Sequence, residues 1–140
     1  MTNRVGVEKK LTTVACHQLA PVIGDLKANV RIIGDAIAEA LTTGTDILVL
    51  PELATSGYVF TDTAEARRVA ITTDHAFFTD TAFALHGSSM IVAVGFCEDG
   101  GDVLYNSAAL IDAAGVLAVY RKTHLWDRET LVFQPGDDLP

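Results

Sequence analysis

DILVL (46–50), running directly into PELATSGYVF (51–60), is the stretch from which the fold can be read. A short continuous apolar run fits a β-strand covered on both faces, and the Pro, Ser and Gly that follow it belong to an irregular loop. Upstream, LTTVACHQL (11–19) is rich in β-branched and apolar residues and stops before Pro21 and Gly24, which predicts another strand. Between the two the period changes. Leu26, Val30, Ile33, Ile37 and Leu41 recur at spacings of three and four, while Lys27, Arg31, Asp35 and Glu39 fall toward water. This spacing predicts a helix over 25–42, with Asp25 as its N-cap and Gly44 as its stop. Strand, helix and buried strand make a β-α-β opening.

Downstream, weaker helical patterns occupy 62–70 and 74–86, the second with Phe77, Phe78, Ala82 and Leu85 as its inward residues. After Gly87 the chain turns to sheet. MIVAVGFCE (90–98), LYNSAALID (104–112) and VLAVYRK (116–122) are separated by DGG and AAG turns and read as a three-stranded meander. This order predicts an α/β domain whose sheet mixes parallel and antiparallel pairs. Residues 1–10 read as a flexible N-terminus and 11–140 as one domain, the size being right for one. The tail QPGDDLP (134–140) reads as a loop with no element to close on.

With 49% hydrophobic and 20% charged residues, the chain is apolar enough to bury a core. Eighteen acidic residues against ten basic ones give a formal charge of -8, and the basic residues are scattered, which argues against nucleic acid and anionic membrane as partners. MTNRVGVEKK has no apolar stretch long enough for a signal peptide, nor does any later run reach a membrane span, so a cytoplasmic location is expected. Cys16 and Cys97 both sit in apolar runs and are expected to be buried free thiols. His17, His75, His86 and His124 share no ligand or triad spacing.

Three residues invite a chemical reading. Glu52 follows the strand DILVL and Pro51, at the carboxyl end where catalytic groups of open α/β sheets collect, although by itself it reads more readily as a surface carboxylate. Lys122 closes VLAVYRK, and alternation places it on one face with Val116, Ala118 and Tyr120. A lysine there is partly desolvated and needs an anion nearby, unless it simply reaches out to water. Glu129, seven residues on in KTHLWDRE, could hold that lysine or be a solvated residue of a short helical turn.

Taken together, VACHQLAPVIGDLKANV, LVLPELATSGY, GFCE, YNSAALID, YRKTHLWDRE and FQPGDDLP resemble, in this order, the first half of the nitrilase superfamily of amidases, nitrilases and carbamoyl hydrolases. The resemblance covers the chain from Leu11 onward. It implies half of a four-layer α-β-β-α sandwich, with the residue matching Glu52 as general base, that matching Lys122 stabilising a tetrahedral intermediate, and Glu129 assisting both. Tyr58 would lie at the edge of the substrate pocket, or else pack as an aromatic beneath a loop. The implied reaction is thiolate attack on a small amide, nitrile or carbamoyl substrate, followed by hydrolysis of the thioester, and by the same resemblance no metal or organic cofactor is expected.

The chain departs from the family's pattern in its nucleophile. The family's cysteine lies beyond the F-x-P-G segment, whereas this sequence stops at Pro140, so the chain reads as truncated before it and inactive alone. Self-association, as a homo-oligomer, or pairing with a chain that supplies the missing half is expected. Two other readings compete: a non-catalytic interaction subunit, and a nucleotide-binding α/β module. The second is opposed by QLAPVIGD after the first strand, which has no glycine-rich phosphate cradle.

Overall fold

The computed structural model describes residues 11–137, so the expected flexibility of residues 1–10 and the last three residues of the tail lie outside the described residues. The elements are β1 (Val14–Cys16), α1 (Leu26–Thr42), β2 (Ile47–Val49), α2 (Thr63–Arg67), α3 (Ala76–Ala84), β3 (Ile91–Asp99), β4 (Leu104–Asp112), β5 (Gly115–Arg121) and a 3-10 turn at Asp127–Leu131. One five-stranded sheet has the order β1-β2-β3-β4-β5. The β1-β2 and β2-β3 pairs are parallel, and β3-β4 and β4-β5 antiparallel. The fold is therefore the mixed α/β arrangement that the order of patterns predicts.

Helix α1 forms where its apolar stripe demands it. Asp25 caps it by accepting from the Ala28 N–H at 2.9 Å, and Thr43, just before Gly44, is its C-cap. Its buried residues include Ile33 and Ile37 of the predicted stripe, with Leu26, Val30 and Leu41 partly buried beside them. Helix α3 is capped by His75, whose Nδ1 accepts from the Phe77 N–H at 3.1 Å. Phe77, Phe78, Ala82 and Leu85 are all buried, as expected. They join Ile33, Leu48, Val92, Val94 and Phe96 in the main core, between the helices and one face of the sheet. Removing a side chain such as Leu48 from this core would cost about 2–5 kcal/mol.

The other face of the sheet is covered around Cys97 by Leu53, Ala66 and Phe133 but open over Val14, Cys16, Val49 and Leu110, which corrects three expectations. In β2, Leu48 is fully buried toward the helices while Val49 is 36% exposed, so DILVL is covered on one face only. The strand expected over 11–19 pairs only at Val14–Cys16, and Cys16 is exposed rather than buried. Alternation turns Ala15 toward the core and Val14 and Cys16 away from it, where no second layer lies among the described residues. The register carries this open face across the sheet, through Val49 and Leu110 to Tyr120.

A bulge revises the reading of β5. Ile111 pairs with Val116 but Leu110 pairs with Ala118, the register shifting between them. Val116 thus packs on the helix-side core, whereas Tyr120 and Lys122 line the opposite face. The tail also differs from expectation: the Gln134 N–H donates to the Leu104 carbonyl at 2.8 Å and the Gly136 N–H to the Lys122 carbonyl at 2.9 Å, so it closes on the sheet. The helix expected over 62–70 is shorter, because after Arg68 the chain extends so that Ile71 can bridge to Glu98 of β3.

Candidate functional site

Glu52, Lys122 and Glu129 come together at the carboxyl ends of the parallel strands. Lys122 Nζ donates to Glu52 Oε1 at 2.8 Å and to Glu129 Oε2 and Oε1 at 2.8 and 3.1 Å. The three arrive on separate segments: the loop after β2, the end of β5 and the 3-10 turn beyond it.

Each segment is held from below. The Glu52 loop lies directly on β3. The Leu50 N–H donates to the Ala93 carbonyl at 2.8 Å and the Gly95 N–H to the Pro51 carbonyl at 3.2 Å. A Cβ on Gly95 would sit 2.5 Å from Leu53 N and 2.6 Å from the Glu52 Cα, so the backbone approaches as only glycine permits. Lys122 is fixed on both sides of its peptide, its N–H donating to the Asn106 carbonyl at 2.8 Å and its carbonyl accepting from Gly136. Gly136 also fits by close approach, since a Cβ there would lie 2.5 Å from the Arg121 carbonyl oxygen. Arg121 anchors the strand end in turn: its Nε and Nη2 donate to Glu98 at 3.0 and 2.6 Å, and its guanidinium lies 4.0 Å above the Tyr105 ring. The 3-10 turn is closed by Glu129 itself, whose Oε2 accepts from the Trp126 N–H at 2.7 Å.

Asn106 is the member that sequence reasoning missed. It is buried, and its Nδ2 donates to Glu52 Oε1 and to Glu129 Oε1, each at 2.7 Å. Its only signal in the sequence is a polar residue inside the apolar strand LYNSAALID. Ser107 beside it belongs to the other face and donates to Glu98 at 2.6 Å.

The two carboxylates are not equivalent. Glu129 is only 6% exposed and accepts four hydrogen bonds, which fills its lone-pair positions. Burial opposes its charge, yet the hydrogen bonds from Lys122, Trp126 and Asn106 outweigh that and hold its carboxyl below the usual glutamate value. Glu52 is exposed, and among the described residues its Oε2 makes no hydrogen bond. Desolvation likewise opposes the charge on Lys122, but hydrogen bonds to Glu129 and Glu52 keep the ammonium protonated well above the ordinary lysine range. A carboxylate oxygen without a hydrogen-bond partner among the described residues stands beside a lysine whose neighbours favour its charged form, an arrangement suited to taking a proton and receiving a developing negative charge.

Open space adjoins the cluster on two sides. A groove of about 370 Å³ on the open sheet face is lined by Glu52, Asn106 and Lys122 together with Ala93, Gly95 and Ala108. Next to Glu129, a cavity of about 170 Å³ is lined by Tyr58, Phe60, Trp126 and Phe133. Tyr58 is 38% exposed, and its phenol is held above the ordinary tyrosine value by burial and by the charges of Glu129 and Glu52. His124 lies outside the cluster and pairs with the Thr123 hydroxyl at 2.9 Å. Cys97 is fully buried at 3.8 Å from the Ala66 carbonyl, and burial, then the charge of Asp99, pushes its thiol up to about 12. Among the described residues no group of three or more His, Cys, Asp or Glu is arranged to hold a metal, and no helix is long and apolar enough to cross a membrane.

Comparison with known proteins decides the family, since the family model for carbon-nitrogen hydrolases matches residues 13–140. The chain belongs to the carbon-nitrogen hydrolase family. A nitrilase of Pyrococcus abyssi is 34% identical over 131 residues, which are 91% of this chain and 49% of that protein. An (R)-stereoselective amidase of a Pseudomonas species is 36% identical over 120 residues, 86% of this chain and 43% of the relative. Among solved structures, an amidase from Nesterenkonia sp. superposes with a TM-score of 0.76 at 25% identity, covering 91% of this chain and 49% of that one. The chain thus spans about half the length of these carbon-nitrogen hydrolase relatives. The nitrilase-like fold expected from the motifs is the fold observed.

Proposed function

We propose that this chain provides the Glu-Lys-Glu part of a hydrolase site that cleaves carbon-nitrogen bonds of a small amide, nitrile or carbamoyl substrate. The observation that carries the reading is the pairing of Lys122 with both Glu52 and Glu129, which leaves one carboxylate oxygen free beside a fixed cation. Glu52 acts as the base, since its Oε2 is available and exposed while every lone pair of Glu129 is engaged. It takes a proton first from the attacking thiol and later from water. Lys122 meets the oxyanion of the tetrahedral intermediate. Its Nζ, 2.8 Å from Glu52 and 2.8 Å from Glu129, borders the groove on the sheet face, where its charge can meet that oxygen. Glu129 holds Lys122 in place and charged, and Tyr58 borders the pocket that receives the substrate.

Neither cysteine of the chain suits the nucleophile. Cys97 is sealed in apolar packing with its thiol held neutral, and Cys16 lies on the edge strand β1 rather than in the cluster. The thiol is accordingly assigned to residues outside these 140, and the isolated chain is expected to be inert. The exposed apolar residues Val14, Val49, Leu110 and Tyr120 on the open sheet face favour its covering by a second layer, through self-association or a chain segment that completes the sandwich. A stable monomer of the isolated chain in light scattering would count against that. The function itself is tested by ammonia release from a panel of small amides and nitriles by the product of the native gene. Loss of release in Glu52→Gln and Lys122→Met supports the reading, and retention in both overturns it.

A further inference from the structure

We infer that Asn106 is a positioning residue of this site, one neutral side chain that holds both glutamates in place and directs the free oxygen of Glu52 toward the substrate. The inference rests on the assignment of Glu52 as base.

The geometry supplies the reason. Two carboxylates share one lysine, so the cluster carries an excess negative charge in a partly desolvated site, and like charges so placed favour protonation of one of them. The Asn106 amide opposes this with both of its hydrogens, one on each glutamate at 2.7 Å. Because Asn106 and Lys122 both bind Glu52 Oε1, that oxygen is saturated and the carboxylate can turn only its Oε2 outward. On Glu129 the amide supplies the fourth bond and removes the remaining lone pair from competition. Asn106 is itself fixed by the register: it pairs with Cys97 on β3, and its carbonyl accepts from the Lys122 N–H. One residue of β4 therefore sets the spacing of all three charged groups. A hydrophobic isostere would leave both carboxylates without this donor, and an aspartate would add a third negative charge at the same point.

The test uses the product of the native gene with a small amide whose hydrolysis is lost in Glu52→Gln. Should Glu52→Gln keep its rate, the assignment of the base fails and the inference about Asn106 is overturned with it. With the base established, Asn106→Leu and Asn106→Asp are compared with the parent for kcat, KM and pH profile. We expect kcat to fall about ten- to a hundredfold, as for loss of a hydrogen bond to a charged group, with KM little changed. The acid limb of the profile should also move to higher pH, more in Asn106→Asp than in Asn106→Leu. A purely structural asparagine would lower the yield of folded protein without moving that limb. In the unaltered protein, which needs no variant to fold, both Asn106 side-chain amide protons should resonate far downfield and shift along the acid limb. Unchanged profiles in folded variants, or amide protons that ignore this titration, would overturn the inference.

Discussion

The α-carbon of Glu52 lies so close over Gly95 that a β-carbon on the glycine would approach it to 2.6 Å. The loop bearing the proposed base is thereby seated on β3, backbone against backbone. Gly95→Ala must lift residues 51–53, because the atoms it meets are main-chain atoms that cannot rotate away. Destabilisation of about 1–3 kcal/mol is expected, together with a loss of hydrolysis larger than the loss of folded protein. Thermal unfolding and single-turnover rates of the native gene product carrying Gly95→Ala measure the two effects separately.

Removing the cation has two consequences. Lys122→Met leaves Glu129, almost wholly buried, without its main partner, and leaves the developing oxyanion without a donor. The pair is partly screened by solvent on the lysine side, so the stability cost is expected at about 1–3 kcal/mol, below that of a fully buried pair. The rate should fall on the order of a hundred- to a thousandfold. Urea denaturation and kcat/KM check these outcomes, and a double variant Lys122→Met with Glu129→Gln should recover part of the stability but none of the rate.

The pH dependence of stability follows from the same pair. The folded-state value of Glu129 lies below its unfolded value, so its contribution is full above the ordinary glutamate value near about 4.3 and is lost as pH falls through the lower folded value. That of Lys122 is raised, so its contribution is full below about 10.4 and is lost only as pH rises beyond that toward the folded value. Urea midpoints should therefore hold between about pH 5 and 10, as far as this pair governs them, and fall on the acid side. In Glu129→Gln the acid fall should be shallower.

The two thiols should separate cleanly under alkylation. Cys16 is exposed on an edge strand, while Cys97 is buried and its thiolate is scarce near neutrality. Iodoacetamide on the folded protein, read by peptide mapping, should modify Cys16 alone, and Cys97 only after unfolding. Modification of Cys97 under native conditions would mean that the packing of Ala66, Leu53 and Phe133 around it is open.

The residues explain what the sequence could and could not convey. Helix α1 was legible because its apolar period and its Asp25 cap are local, and the meander because each strand is bounded by turn residues. The partial exposure of β2 and of Cys16 was not, since an apolar run is the same whether its second face meets another layer or is left open. The bulge at Leu110–Ile111 was equally hidden, because strict alternation assumes an even register. Glu52, Lys122 and Glu129 could be picked out by position and resemblance, and Glu129 as one possible partner of Lys122, but the contact of Lys122 with Glu52 across 70 residues could not be read. Asn106 gave only the weak sign of an amide within a buried strand, and Gly136 looked like an ordinary turn residue although it pins Lys122.

The measurement that bears most directly on the central claim is ammonia release from small amides and nitriles, made in parallel on the native gene product and on the 140-residue chain. Release by the gene product that disappears in Glu52→Gln, with none from the 140-residue chain, is the expected result. Turnover by the 140-residue chain that depends on Glu52 yet survives replacement of both Cys16 and Cys97 by alanine would contradict it, because the base would then be working without a thiol supplied from elsewhere.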